Sequence, residues 1–178
     1  MEKNRFIHYG SVLLIIAAIS AGTLAGVNAM TKGVIAQNNI TAANNARTLV
    51  LPQAQSFDES QAIQKDDFLF IPGFDGNKKV VGYVVSVNQG GYGGNINFSL
   101  GIDLAGKVTG LKVMNHQETP GLGAKISGEE WQKHWIGTDK SYEFTKAADA
   151  FAGATVSPTA VYTGIQRALG AFENGVRK

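Results

Sequence analysis

From Gly10 to Thr31 the chain has no charged side chain, and Ser11–Ile19 is its most apolar part. About 20 such residues let a helix cross the hydrocarbon core of a bilayer. Backbone groups in lipid must pair within the segment, so a lone span has to be helical. Gly22 and Gly26 add a small-xxx-small spacing suited to close helix packing. Lys3 and Arg5 precede the span, which favours an inside N-terminus and places the remainder outside; Lys32 weakens that asymmetry without reversing it. The competing reading is a cleaved export signal, with Val27-Asn28-Ala29 as a small-x-small site. Either way the following residues are exported. The apolar run exceeds the ~7–15 residues usual in a signal, so a retained anchor is expected. Residues 1–9 then form a cytoplasmic N-terminus and residues 10–31 the transmembrane helix.

The remainder suffices for one domain of ordinary size. A formal net charge of +2 is too small to argue for nucleic acid. The chain has no cysteine, which excludes disulfides, thiol chemistry, iron–sulfur ligation and a lipid-modified N-terminal cysteine. His8, His116 and His134 show no ligand spacing, so no metal site is expected.

Residues 32–51 read as helix, with Ile35, Ile40, Ala43 and Leu49 apolar and Pro52 as the stop. Residues 53–66 are polar and unpatterned, and with the preceding helix they read as a stalk and linker, residues 32–66. From Phe68 the pattern turns to strands: Phe68–Ile71, Val80–Val87, Asn95–Gly101 and Lys107–Met114. Asp75-Gly76-Asn77 and Asp103–Gly106 are turns. Neighbouring strands with short turns predict an antiparallel meander. The fold class is α+β: one N-terminal transmembrane helix, then a domain over residues 67–178 with a mainly antiparallel sheet and flanking helices.

Three loops carry the chemistry. Gly90-Gly91-Tyr92-Gly93-Gly94 lacks the Lys-Ser/Thr of a phosphate-cradling loop. It is either a plain hairpin or a place where backbone approaches a flat ligand with Tyr92 packed on it. His116–Lys125 includes Glu118-Thr119-Pro120-Gly121-Leu122-Gly123, a turn freed again at Gly123. Ser127-Gly128-Glu129-Glu130 reads as a capping box opening a short helix that bears Trp131 and Trp135. Last comes Asp149–Pro158, where Ala152, Gly153 and Ala154 run into Thr155. Ser157 is the expected N-cap, Pro158 the first helical residue, and Val161, Ile165, Ala168, Leu169 and Phe172 one apolar face ending at Asn174-Gly175. Free N–H groups at a helix start favour phosphate there.

The run Asp149, two residues, Ala152, Gly153-Ala154-Thr155 resembles the flavinylation motif of an FMN-binding domain family. Its members include the G subunit of the Rnf electron-transport complex and the C subunit of the sodium-pumping NADH:quinone oxidoreductase. Ala152 departs from the Ser/Thr of the motif. Glu118–Gly123 matches the family's Glu-Thr-Pro-Gly-Leu-Gly signature throughout, and a Gly-Tyr-Gly-Gly segment before a strand recurs there. The resemblance covers roughly residues 68–178 and is consistent with the anchor.

The resemblance implies FMN joined to Thr155 by a phosphoester, with Gly153, Ala154 and Val156 beside it. Glu118, Thr119, Gly121, Leu122, Gly123, Tyr92 and Gly93 would line the flavin. Lys125 would either offset negative charge or stand solvated, and Glu118 either relay protons or be an ordinary surface carboxylate. Asp149 would be read by a separate flavin transferase that uses FAD and magnesium and releases AMP. The implied function is an electron-carrying subunit of a membrane-bound, ion-translocating, ferredoxin:NAD type complex, with other membrane subunits as partners. It is anchored once in the cytoplasmic membrane, its FMN domain outside, and has no complete active site of its own. The alternatives are a stand-alone anchored flavoprotein reductase, the C subunit of a sodium-translocating NADH:quinone oxidoreductase, and a binding module whose Thr155 is never modified.

Overall fold

The computed structural model describes the backbone of residues 2–177 and the side chains of residues 8–28, 30–32 and 44–177. The side chains of Lys3 and Arg5, and the positions Ile35, Ile40 and Ala43, lie outside these described side chains. Helix α1 spans Glu2–Val50 and stops two residues before Pro52. Within it, His8–Lys32 is 25 residues long and apolar. At about 1.5 Å per residue it exceeds the ~30 Å of a hydrocarbon core. Residues Met1–Ala43 and Asn44–Lys178 form two separate compact units.

The second unit is built on an antiparallel sheet. Its strands are β1 (Ser56–Phe57), β2 (Ile63–Lys65), β3 (Phe68–Phe74), β4 (Val80–Gly90), β5 (Asn95–Asp103) and β6 (Val108–Asn115). The order is β1-β3-β4-β5-β6, with β2 also paired to β3. The segment read as linker therefore holds two strands. They are too short to show a period, and they form because the outer edge of β3 supplies their backbone partners. Between them the Asp58 carboxylate accepts from the Ser60 N–H at 2.9 Å and starts a 3-10 turn. Strand β3 also runs on through Pro72 and Gly73, which had read as its end. Pro72 is tolerated because outer pairing changes there from β2 to β1.

The inner sheet face is covered by α4 (Val156–Gly175). Its face of Val161, Ile165, Ala168, Leu169 and Phe172 is buried against Phe70, Val85, Val87, Phe98 and Leu100. The outer face carries a stripe of glycines, Gly73, Gly82, Gly101 and Gly110, one from each of β3 to β6. Gly73 pairs with Gly82, and Gly101 with Gly110. The end of α1 lies in this stripe. A Cβ on Gly101 would overlap the Val50 carbonyl oxygen, and one on Gly110 would lie 2.6 Å from the Val50 Cα. Thr109 Oγ1 donates to the same Val50 carbonyl at 2.6 Å. Val50, Leu51, Ala54 and Val84 thus form a second small core.

Two helix starts differ from expectation. Helix α2 (Glu129–Lys133) is capped by Gly128 without a side-chain bond, so Ser127 forms no capping box. Instead the buried Gln132 donates to the Ser127 carbonyl at 2.7 Å and accepts from the Val113 N–H at 2.9 Å. Helix α4 begins at Val156 with Thr155 as N-cap, earlier than Ser157 and Pro158 suggested. The Ser157 hydroxyl is engaged by Glu118, across 39 residues of sequence, and so is not free to cap.

Candidate functional site

A cavity of about 420 Å³ opens where three loops meet at the start of α4, within the ~300–1,000 Å³ usual for small-molecule sites. Tyr92 lines it from the β4–β5 hairpin. Glu118, Thr119, Leu122 and Gly123 line it from the loop after β6, and Gly153 through Ser157 from the last turn and the helix start. The residues marked by the two sequence motifs therefore come together. Leu122 and Val156 give the lining apolar surface and are 42% and 50% exposed.

The last turn is shaped by short-range bonds. The Ala154 N–H donates to the Phe151 carbonyl at 2.9 Å, and Gly153 turns through a left-handed φ of 80°, which glycine adopts at no steric cost. Thr155 follows, exposed, and its hydroxyl makes no capping bond. Its helical neighbours differ. Thr159 Oγ1 donates to the Thr155 carbonyl at 2.7 Å, Thr163 Oγ1 to the Thr159 carbonyl at 2.8 Å, and Ser157 Oγ to Glu118. The N–H groups of Val156 and Ser157 fall in the first turn, where a helix has no internal partner for them.

Glu118 is neither exposed nor solvated. It is 5% exposed, and its Oε1 accepts from the backbone N–H groups of Tyr92 and Gly93 at 3.0 and 3.1 Å. The glycines of that hairpin make room for the protein itself: a Cβ on Gly93 would overlap the Gln117 carbonyl, and one on Gly91 the Glu118 carboxylate. Tyr92 is the residue of the hairpin that lines the cavity, and it is 75% exposed. Gly93 stands behind it. Gly121 is a left-handed turn residue with φ 75°, outside the lining. Lys125 is also outside it, its Nζ 5.9 Å from the centre of the Phe151 ring.

Asp149 is fully buried. Its Oδ1 accepts from the Tyr142 hydroxyl at 2.6 Å and pairs with His134 Nε2 at 2.6 Å, and its Oδ2 accepts from the Thr145 N–H at 2.6 Å. Burial pushes its carboxyl up, but these bonds outweigh burial and hold it below the usual carboxylate range. Burial, followed by the bond to Asp149, pushes the Tyr142 hydroxyl up to about 12. Trp131 Nε1 donates to the Asp149 carbonyl at 2.8 Å, and its ring packs 5.6 Å from that of Phe151. Asp149 thus braces the turn that presents Thr155. Trp131, His134 and Tyr142 were not singled out in the sequence for this site, because each acts through a contact with Asp149 that no local spacing announces; Ser157 was read as an N-cap and instead bonds Glu118.

Comparison with known proteins gives the family and the fold. Residues 91–170 match the FMN-binding domain family. The G subunit of the Na(+)-translocating ferredoxin:NAD(+) oxidoreductase complex of Acetobacterium woodii is 30% identical over 188 residues, covering 93% of this chain and 90% of that protein. The G subunit of the ion-translocating oxidoreductase complex of Methanosarcina acetivorans is 34% identical over 167 residues, covering 88% and 89%. Among solved structures, NqrC of Shewanella oneidensis superposes with a TM-score of 0.52 over 68% of this chain and 69% of that one, at 20% identity. The fold is shared.

Proposed function

The chain belongs to the family of G subunits of ion-translocating oxidoreductase complexes, and from that membership we propose that it is an electron-carrying subunit holding FMN as a phosphoester on Thr155. The observation that carries this reading is the Thr155 hydroxyl, uncapped and exposed at the cavity, while Ser157, Thr159 and Thr163 are hydrogen-bonded.

The residues present fit the cofactor. The cavity has room for a ligand of this class. Leu122 and Val156 offer apolar contact and Tyr92 an aromatic face; Thr119 is the polar group for the ring or ribityl chain. The unpaired N–H groups of Val156 and Ser157, with the positive end of the α4 dipole, suit the charge left on an esterified phosphate. Bound there, FMN supplies the redox chemistry, and the protein orients it and tunes its surroundings. A covalent tether keeps the cofactor from diffusing away.

Attachment requires a separate flavin transferase with FAD and magnesium. Thr155 Oγ1 would be the acceptor of the FMN phosphoryl group of FAD, with AMP as the leaving group and the hydroxyl proton passing to solvent. Asp149 belongs to the motif such a transferase reads. Its carboxylate is buried in the folded domain, so direct contact with it requires this corner to open. The subunit is anchored by the His8–Lys32 span, with the domain on the extracytoplasmic side because Lys3 and Arg5 precede the span. One helix cannot enclose an ion path, so other membrane subunits complete the complex.

The test is direct. Co-expressed with a flavin transferase, the protein gains the mass of FMN less one water and fluoresces on a denaturing gel. Thr155→Val keeps the branched shape but loses the oxygen, so attachment falls to background while the fold persists. A Thr155→Val protein that still fluoresces after denaturation refutes the assignment.

A further inference from the structure

Three segments far apart in sequence meet at one carboxylate. Glu118 Oε1 takes the N–H groups of Tyr92 and Gly93, and Oε2 takes the Ser157 hydroxyl. All three donors are neutral, and the group is nine-tenths buried, so its charge is balanced by aimed dipoles rather than a counterion. The surroundings are cut to its shape. A Cβ on Gly123 would lie 2.8 Å from Oε2, and one on Gly91 would overlap Oε1. Without this carboxylate, two backbone N–H groups of the hairpin and a buried hydroxyl at the helix start lose their partner at once. The tip of the hairpin would lose its link through Glu118 to the start of α4.

We propose that Glu118 is the positioning residue of the site: its carboxylate fixes the loop bearing Tyr92 against the helix start bearing Thr155. This rests on the FMN reading of the same cavity. Glu118 also leaves a negative charge beside that cavity. Removing the charge while keeping the shape should therefore favour the reduced, more negative flavin and shift the midpoint potential positive.

The experiment uses the full-length protein in detergent as wild type, Glu118→Ala, Glu118→Gln and Ser157→Ala. Amide hydrogen exchange is read without flavin; visible circular dichroism and midpoint potential are read with it. In Glu118→Ala, exchange at Tyr92 and Gly93 should quicken by at least about tenfold, with Val85 and Leu100 unchanged and the flavin dichroism reduced. Glu118→Gln, whose amide oxygen still accepts both N–H groups, should restore the protection and most of the dichroism while the potential moves positive. Ser157→Ala should reduce the dichroism and leave Tyr92 and Gly93 protected, and this arm decides the matter if Glu118→Ala does not fold. Wild-type exchange at Tyr92 and Gly93 in Glu118→Ala, or wild-type dichroism in Ser157→Ala, overturns the proposal. If the wild type carries no covalent flavin, the functional reading fails, and the exchange measurements still judge the role of Glu118.

Discussion

Asp149 holds a charge inside the domain against the cost of burial, and that ties its contribution to pH. Its folded pKa lies below the unfolded value of about 3.9. Its stabilising contribution is therefore complete above about pH 4 and is lost as pH falls through the depressed folded value. Asp149→Asn keeps the shape and loses the charge. It should lower stability by about 1–3 kcal/mol at neutral pH. Denaturant midpoints followed from pH 7 to pH 2 should fall less steeply below pH 4 in the variant than in the wild type. Equal slopes would show that Asp149 is not held ionised by Tyr142, Thr145 and His134. Tyr142 answers at the other end. Its raised pKa of about 12 leaves its contribution intact below about pH 10, to be lost as pH rises through about 12.

Among the elements, the docking of the α1 terminus on the glycine stripe is the contact least tolerant of added volume. Gly101→Ala places a methyl group on the Val50 carbonyl, a backbone atom that no rotamer change can move aside. Overpacking of this kind costs about 1–3 kcal/mol. Thermal melting of the variant should fall accordingly, and Thr109→Ala should add little to it, since the same carbonyl is already displaced. An unchanged melting temperature would mean that the contact contributes nothing. The four-strand run from β3 to β6 and helix α4 were legible in the sequence, because alternating Ile96, Phe98 and Leu100 and the face from Val161 to Phe172 are periodic. Strands β1 and β2 were not, because two or three residues carry no period and owe their form to β3. The site was legible where motifs are contiguous, at Glu118–Gly123 and Gly153–Thr155. The partners of Glu118 lie 25, 26 and 39 residues away, and no spacing rule links them. The capping box at Ser127 failed because Ser127 closes a 3-10 turn over Gly123–Ser127 and Gly128 stands as the N-cap.

For the molecule as a whole, the proposed sidedness predicts what a protease can reach. Added to intact spheroplasts, it should digest residues 33–178 and leave the N-terminus protected. A domain cut only after lysis would reverse the topology. The stripe of glycines also bears on where this protein can be cut by design. Composition suggests beginning a soluble fragment at residue 67, yet the compact unit begins at Asn44, and the reason is physical. Val50, Leu51 and Ala54 roof the outer face of the sheet, and β1 and β2 cover the free side of β3. A fragment begun at residue 44 carries its roof with it. One begun at residue 67 bares a flat, side-chain-poor surface next to an unpaired strand edge, a combination that invites sheet-to-sheet association. The last turn of the long helix thus belongs to the second compact unit.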